Sequence, residues 1–253
     1  LVHASVASSA PVKAKLDMNE YYDVLSDAYG LTSVGGSAGC ANAIRAGHAQ
    51  IGEMFKTDAG RQKLADQFEQ VPSADYLKSL VAQKRFAGDG VASFPGQGND
   101  PTCDSPGCNI AKVCEVMGSA TGDAAVAALA TLSNLNAAQR AVDVAAARRR
   151  VATAPMAEGH AFYDYWGYQT CTEFGFYQTC EVGSNCFFTQ GLNVLSDDDS
   201  FCSGFGIAPA QIEKSIEATN NRTQALRPDL PPPPAPRIMY PTGDADPDRQ
   251  SVV

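Results

Sequence analysis

Serine, carboxylate and cysteine clusters are the parts of this sequence whose residue types and spacing could do chemistry. Gly35-Gly36-Ser37-Ala38-Gly39 matches G-x-S-x-G, the nucleophile elbow in which a buried strand runs into a sharp turn and then a helix, leaving the serine exposed. The preceding residues, Tyr21 to Leu31, include Asp23, Ser26, Asp27 and Tyr29 and read as helix plus loop. The strand an elbow needs is missing, so Ser37 reads as the N-cap of the helix that follows. Asp244, Asp246 and Asp248 are spaced like the first ligands of a calcium loop, yet Arg249 takes the glycine position and the chain ends at Val253, before the final carboxylate. Cys103, Cys108 and Cys114 lie close enough to suggest zinc but lack a fourth ligand at a suitable spacing. His3, His48 and His160 show no ligand spacing and read as structural or surface residues, and Asp197-Asp198-Asp199 reads as a solvated loop. No metal and no cofactor is expected.

The eight cysteines contain no C-x-x-C and are scattered from Cys40 to Cys202, which fits disulfides made in an oxidising compartment better than a metal site. Spacing alone leaves on the order of 100 pairings open. The sequon Asn221-Arg222-Thr223 makes Asn221 a glycosylation candidate and agrees with a secreted protein or one of the lysosomal or vacuolar lumen. The first residue is Leu1 and no signal-peptide pattern follows it, so an internal start is expected.

Length and charge narrow the classes further. With 253 residues, 44% hydrophobic and 19% charged, the chain can bury a sizeable core. Nineteen Lys and Arg against 28 Asp and Glu give a net charge of -9, which argues against nucleic acid and against a polybasic membrane contact. The longest apolar run, Ala124 to Ala130, is far short of the ~20 residues that span a bilayer, so no membrane span is expected.

The elements that must position these groups follow from periodicity. Leu1 to Ala10 mixes small and β-branched residues without charge and stops at Pro11, as a short buried strand does. From Lys13 the texture turns helical, with Tyr22, Val24, Leu25 and Ala28 in one stripe that Gly30 ends. Cys40, Ile44, Ile51, Met54 and Phe55 mark the next amphipathic helix, and Leu64 and Phe68 continue after Thr57. Ser73 is expected to cap a helix with Leu77, Leu80 and Val81 inward; residues 88–109 are loop, and a short helix buries Ile110, Val113, Cys114 and Met117. The Ala-rich stretch from Thr121 to Arg150 predicts two helices interrupted near Asn134 and Asn136. Between Phe162 and Tyr177 the aromatics predict strands and loops. A helix over Pro209–Thr219 leads to Pro231–Pro234, an extended connector, then to a short strand, Arg237–Tyr240, and the acidic turn Pro241–Pro247. In α/β folds, loops after strand C-termini are where functional acids stand.

Several stretches in this order resemble one family. They are Ala4–Val12; Gly60-Arg61-Gln62-Lys63-Leu64; Tyr168-Gln169-Thr170-Cys171-Thr172-Glu173-Phe174-Gly175; Cys202 with Phe205-Gly206-Ile207; and Gly243-Asp244-Ala245-Asp246-Pro247. Together they resemble the proline-specific serine exopeptidases, the family of lysosomal Pro-X carboxypeptidase, dipeptidyl peptidase II and the thymus-specific serine protease. The resemblance implies an α/β class chain: a partial α/β-hydrolase core interrupted by a large, mostly helical cap domain. Residues 1–12 and 160–253 would be core and 13–159 the cap insertion.

The resemblance also implies roles. Asp246 takes the place of the triad aspartate, which accepts a hydrogen bond from the catalytic histidine and stabilises the imidazolium. The triad order in this fold is serine, acid, histidine, and no histidine follows Asp246; the family's nucleophile would lie before Leu1. The 253 residues are therefore expected to hold cap and acid and to be inactive alone. Phe176 would supply an apolar wall of the substrate pocket or else be a core aromatic, Glu173 would meet a free peptide terminus or else pair structurally with an arginine, and Asp248 stands where the family usually carries an aromatic residue. The family pattern pairs Cys40 with Cys114 and Cys171 with Cys202; the remaining neighbours then pair as Cys103–Cys108 and Cys180–Cys186.

The activity expected is that of a serine-type exopeptidase, a carboxypeptidase or dipeptidyl peptidase cleaving beside proline through an acyl-enzyme, with a peptide substrate as partner. A homodimer is left open. Two rivals stand beside it: an ester or lipid hydrolase using Ser37, and a non-enzymatic, disulfide-bonded secreted binding module.

Overall fold

The computed structural model describes residues 5–6, 12–151, 162–195, 202–223 and 238–239 of the 253. The chain divides into two compact units: Leu1–Leu25 with His160–Thr179 and Val194–Val253, and Ser26–Gly159 with Cys180–Asn193. Among the described residues no helix is long and apolar enough to cross a membrane.

The first unit holds two short parallel ladders. Strand β1 (Ser5–Val6) pairs with β4 (Ile238–Met239), Ser5 opposite Ile238 and Val6 opposite Met239. The first strand and the strand before the acidic turn thus pair in parallel although most of the chain separates them in sequence. Strand β2 (Lys15–Asp17) pairs in parallel with β3 (Gly175–Tyr177). Helix was expected from Lys13; instead the chain stays extended to Asp17, because the backbone of β3 offers it a ladder that neighbours in sequence cannot. Helix α1 (Glu20–Ala28) follows.

The second unit is helical: α2 (Ala38–Met54), α3 (Asp58–Gln67), α4 (Leu80–Ala87), α5 (Ile110–Met117) and α6 (Gly122–Val151). Side-chain oxygens of Ser37, Thr57, Ser79 and Asn109 accept from the first-turn amides of α2 to α5, satisfying donors that a helix start leaves unpaired. Cys40, Ile44, Ile51 and Met54 of α2 are buried together with Leu64, Phe68, Val113, Met117 and Leu129.

Two expectations for this block are corrected. Ser73 accepts from Tyr76 at a single 3-10 turn (Tyr76–Lys78), and the helix begins at Leu80 with Ser79 as its cap. Leu80 and Val81 are exposed, at 55% and 70%, while Ala82, Phe86 and Ala87 are buried. The stretch expected as two helices is one, α6, because its asparagines bond away from their own helix. Asn134 Nδ2 donates to Gln67 O (3.0 Å) and its Oδ1 accepts from Glu69 N (3.1 Å), while Asn136 Oδ1 accepts from Ser93 N (2.8 Å). With tertiary partners taking these amides, they do not compete for the local backbone.

A further correction falls on the aromatic segment of the first unit. Helix α7 (Phe162–Gln169) runs into a π-helical turn (Thr170–Phe174) before β3, where strands and loops were expected. Gly167, Thr170 and Cys171 are buried at helical spacing, whereas Tyr165, Trp166 and Tyr168 are exposed. Aromatic composition favours a strand only beside another strand; here the small residues pack inward and set the period. Helix α8 (Pro209–Thr223) buries Ile212 and Ile216 against Ala14, Cys171, Tyr177 and Cys202.

Four disulfides bond Cys40 to Cys114, Cys103 to Cys108, Cys171 to Cys202 and Cys180 to Cys186, as fits an oxidising compartment. Cys103, Cys108 and Cys114 thus carry no zinc, and no cluster of metal-binding side chains occurs among the described residues.

Candidate active site

The residues that could form a substrate pocket are gathered around Cys171 in the first unit. Cys171 and Cys202 tie the π turn to the residues before α8, and the Tyr177 hydroxyl lies 2.8 Å from Cys202 Sγ. Thr170 and Thr172 hydroxyls donate back to Gly167 O (2.7 Å) and Tyr168 O (2.8 Å), bracing the turn from within.

The chain then leaves the turn through two left-handed residues. Gly175 has φ 69°, and a Cβ there would stand 2.2 Å from Lys15 O, so only glycine fits beside β2. Phe176 follows with φ 61°, the only non-glycine residue at positive φ among the described ones. Such backbone persists only where surroundings over-determine it. Here the β2–β3 ladder, Met18 N donating to Tyr177 O (2.8 Å) and Thr179 Oγ1 donating to Asp17 Oδ1 (2.7 Å) clamp the following residues. The half-buried Phe176 ring stacks on Phe174, centroids 5.9 Å apart at 16°, and Phe174 meets Trp166 at 6.0 Å and 31°. The result is an aromatic surface with one strained anchor.

Glu173 is half-buried on the same turn, its Oε2 4.0 Å from Arg222 Nη2 of α8. Arg222 also donates to Thr219 Oγ1 (3.0 Å), so the guanidinium is held while Glu173 keeps much of its solvent contact. Asn221, beside it on the last turn of α8, is exposed.

Asp246, Asp248, Asp244, His3, His160 and the triplet Asp197–Asp199 lie outside the described residues. What is described of their setting is β4, two residues long and parallel to β1, which ends seven positions before Asp246 in sequence.

The other candidates, Ser37 and His48, sit in the helical unit. Ser37 Oγ accepts from Cys40 N at 3.1 Å, and the residues ahead of it form a 3-10 turn (Thr32–Val34), not a strand. The elbow geometry is absent, so the ester-hydrolase rival loses its nucleophile. His48 is fully buried among aromatic rings; burial holds its imidazole down, to about 4. A cleft of about 700 Å³ on this unit is lined by Arg45, Glu53, Lys56, Gln83, Phe188 and Gln190, among others, none of them a site residue the sequence suggested. Arg45 is committed to the carbonyls of Asn185 and Cys186, and Lys56 to Glu53.

Sequence reasoning did not single out Trp166, Phe174 or Arg222 as site residues. Trp166, exposed, and Phe174, half-buried, had a signal, their helical offset from Gly167, Thr170 and Cys171. Arg222, 49 positions after Glu173, had none.

Comparison with known proteins bears on the whole chain. It is 28% identical over 269 aligned residues to the thymus-specific serine protease of Homo sapiens, covering 98% of this chain and 48% of that protein. The Mus musculus thymus-specific serine protease is 27% identical, with 98% and 49% covered. The chain spans about half the length of these curated relatives. The match to "Serine carboxypeptidase S28" runs over residues 1–251, through the Cys171 turn, both parallel ladders and the acidic turn alike, and the chain therefore belongs to that family.

Proposed function

We propose that these residues carry the acid and part of the substrate pocket of a serine-type exopeptidase that cleaves short peptides beside proline through an acyl-enzyme. The observation that carries the reading is the family match over residues 1–251, since the family has the α/β-hydrolase fold and a serine-peptidase chemistry. Asp246 is the triad acid: its carboxylate accepts from the histidine that deprotonates the serine, fixing the tautomer and stabilising the imidazolium. The parallel β1–β4 pairing supports this, because the loop after a strand's C-terminal end is where such folds hold functional acids. Nucleophile and histidine would come from residues outside these 253.

Phe176 forms one apolar wall for the substrate's proline ring, and its left-handed backbone, unusual for a bulky side chain, supports a role beyond packing. Glu173 meets the substrate's free amino terminus in competition with Arg222. Asp248, in the position of the family's pocket aromatic, loosens the preference for proline. The helical block acts as a cap, and Asn221, exposed on α8, is glycosylated in the secretory lumen.

The test has two parts. Residues 1–253 alone should neither hydrolyse Pro-containing dipeptide reporters nor react with a fluorophosphonate, because a lone acid gives no nucleophile. In a chain extended to supply serine and histidine, Asp246→Asn should lower kcat by roughly 10⁴. Full activity of that variant would sink the assignment.

A further inference from the structure

His48, the only histidine among the described residues, has both ring nitrogens bonded and its ring fully buried. Nδ1 lies 3.0 Å from Ile44 O, and a carbonyl can only accept, so Nδ1 carries the hydrogen. Nε2 is then the acceptor for the backbone N–H of Val91, at 3.3 Å. Val91 is buried at 2% exposure in the segment after α4, which has no regular structure of its own. Other bonds hold that segment too: Gln70 Nε2 to Val91 O (2.9 Å), Asn136 Oδ1 from Ser93 N (2.8 Å) and Tyr29 Oη to Pro95 O (3.1 Å). His48 is the member of this set whose side chain changes charge in mild acid.

We propose that His48 is an acid-sensitive latch, holding the 88–96 segment onto α2 while neutral and releasing it when protonated. Protonation puts a hydrogen on Nε2, so a donor faces the Val91 N–H donor and the buried amide loses its partner. The new cation sits among Phe188, Phe94 and Phe187, whose centroids are 5.1, 5.6 and 6.5 Å away. These rings restore no acceptor for Val91.

The neighbouring charged groups are engaged elsewhere. On α2, Arg45 binds carbonyls of residues 185 and 186; Asp27 on α1 accepts from Asn185; Asp89, on the released segment, accepts from Asn193; Asp123 on α6 faces Lys63 at 3.5 Å. Tyr29 stays protonated, its phenol pushed up by burial. Burial is the main cause of the lowered His48 pKa, with the Ile44 carbonyl opposing it.

Hydrogen-exchange mass spectrometry tests this on the folded 253-residue chain, with protection factors compared at neutral pH and just below the His48 pKa of about 4. Peptides over residues 88–96 should lose protection about tenfold or more in acid while those over α2 hold theirs. His48→Gln, which places a non-titrating oxygen near the Nε2 position, should keep the segment protected. Unchanged protection in the wild type, or equal loss in the Gln variant, overturns the latch. Should the variant not fold, imidazole and amide NMR of the wild type decides: a Val91 amide that stays protected after the ring has protonated overturns it as well.

Discussion

The two units order their backbones by different means. In the helical unit, Ser37, Thr57, Ser79 and Asn109 each close a helix start, and the helices then follow from period and burial. Around Cys171 the first unit uses a disulfide, a π-helical turn and consecutive left-handed residues, with aromatic rings left at the surface. The described substrate-pocket candidates, Glu173 and Phe176, lie in the second kind of region. Regular elements supply a frame whose side chains are spent on packing. A non-repetitive turn clamped by a disulfide and a ladder can hold side chains in directions no helix or strand would give them.

Glycine substitutions should separate the two most. Gly175→Ala puts a Cβ 2.2 Å from Lys15 O at φ 69°, and is expected to cost the first unit about 4 kcal/mol or more. Gly183→Ala in the helical unit also has positive φ, 90°, but nothing within 4 Å, and should cost only ~1 kcal/mol. Urea unfolding followed by Trp166 fluorescence, with circular dichroism for the helices, measures both. Equal losses would remove the contrast.

Acid should act next, and on the helical unit. The folded His48 pKa of about 4 lies below the ordinary 6.5, so between these values the unfolded chain binds a proton that the folded one does not. The stability that neutral His48 contributes is complete above pH 6.5, falls as pH drops and levels off below about 4. That lowering corresponds to roughly 3 kcal/mol. Helical circular dichroism against urea across that range should show the loss, and His48→Gln should flatten it.

A smaller effect concerns the caps. Ser37→Ala should lower helical-unit stability by about 1 kcal/mol and leave hydrolysis by the extended enzyme untouched. A variant that folds normally yet loses peptide or ester turnover would return Ser37 to the chemistry. Smallest is Glu173→Gln. Its pair with Arg222 is long and solvent-exposed, so unfolding free energy should move by less than ~0.5 kcal/mol. Under the proposed function KM for peptides with a free amino terminus should rise all the same, and an unchanged KM would leave Glu173 a surface carboxylate.

Much of the frame was legible. The stripe Cys40, Ile44, Ile51, Met54 is the buried face of α2, and Ile212 with Ile216 that of α8. Ser37 reads as a cap from the sequence alone, because an oxygen three residues ahead of an amide needs only local geometry. The aromatic segment misled because composition stood in for period: the buried set Gly167, Thr170, Cys171 is helical in spacing but contains one cysteine and no large apolar residue. Of the proposed site, Glu173 and Phe176 are legible through the motif around Cys171, and Asp246 and Asp248 through the acidic turn.

Sequence by itself determined the helices α1, α2, α3 and α5, the Ser37 cap and the helical character of 122–151, since these depend on bonds between residues three or four apart. Only the tertiary structure decided that Lys15–Asp17 is a strand, that 180–193 joins the helical unit and that Asn134 leaves α6 unbroken. It also decided which nitrogen of His48 holds the hydrogen. Each of these hangs on a partner that proximity in sequence does not reveal, such as Gly175 for Lys15, 160 positions away, or Gln67 for Asn134, 67 away. Backbone groups and buried amides take whatever partner folding brings to them, and a donor or acceptor left without one in the interior costs more than any local preference supplies.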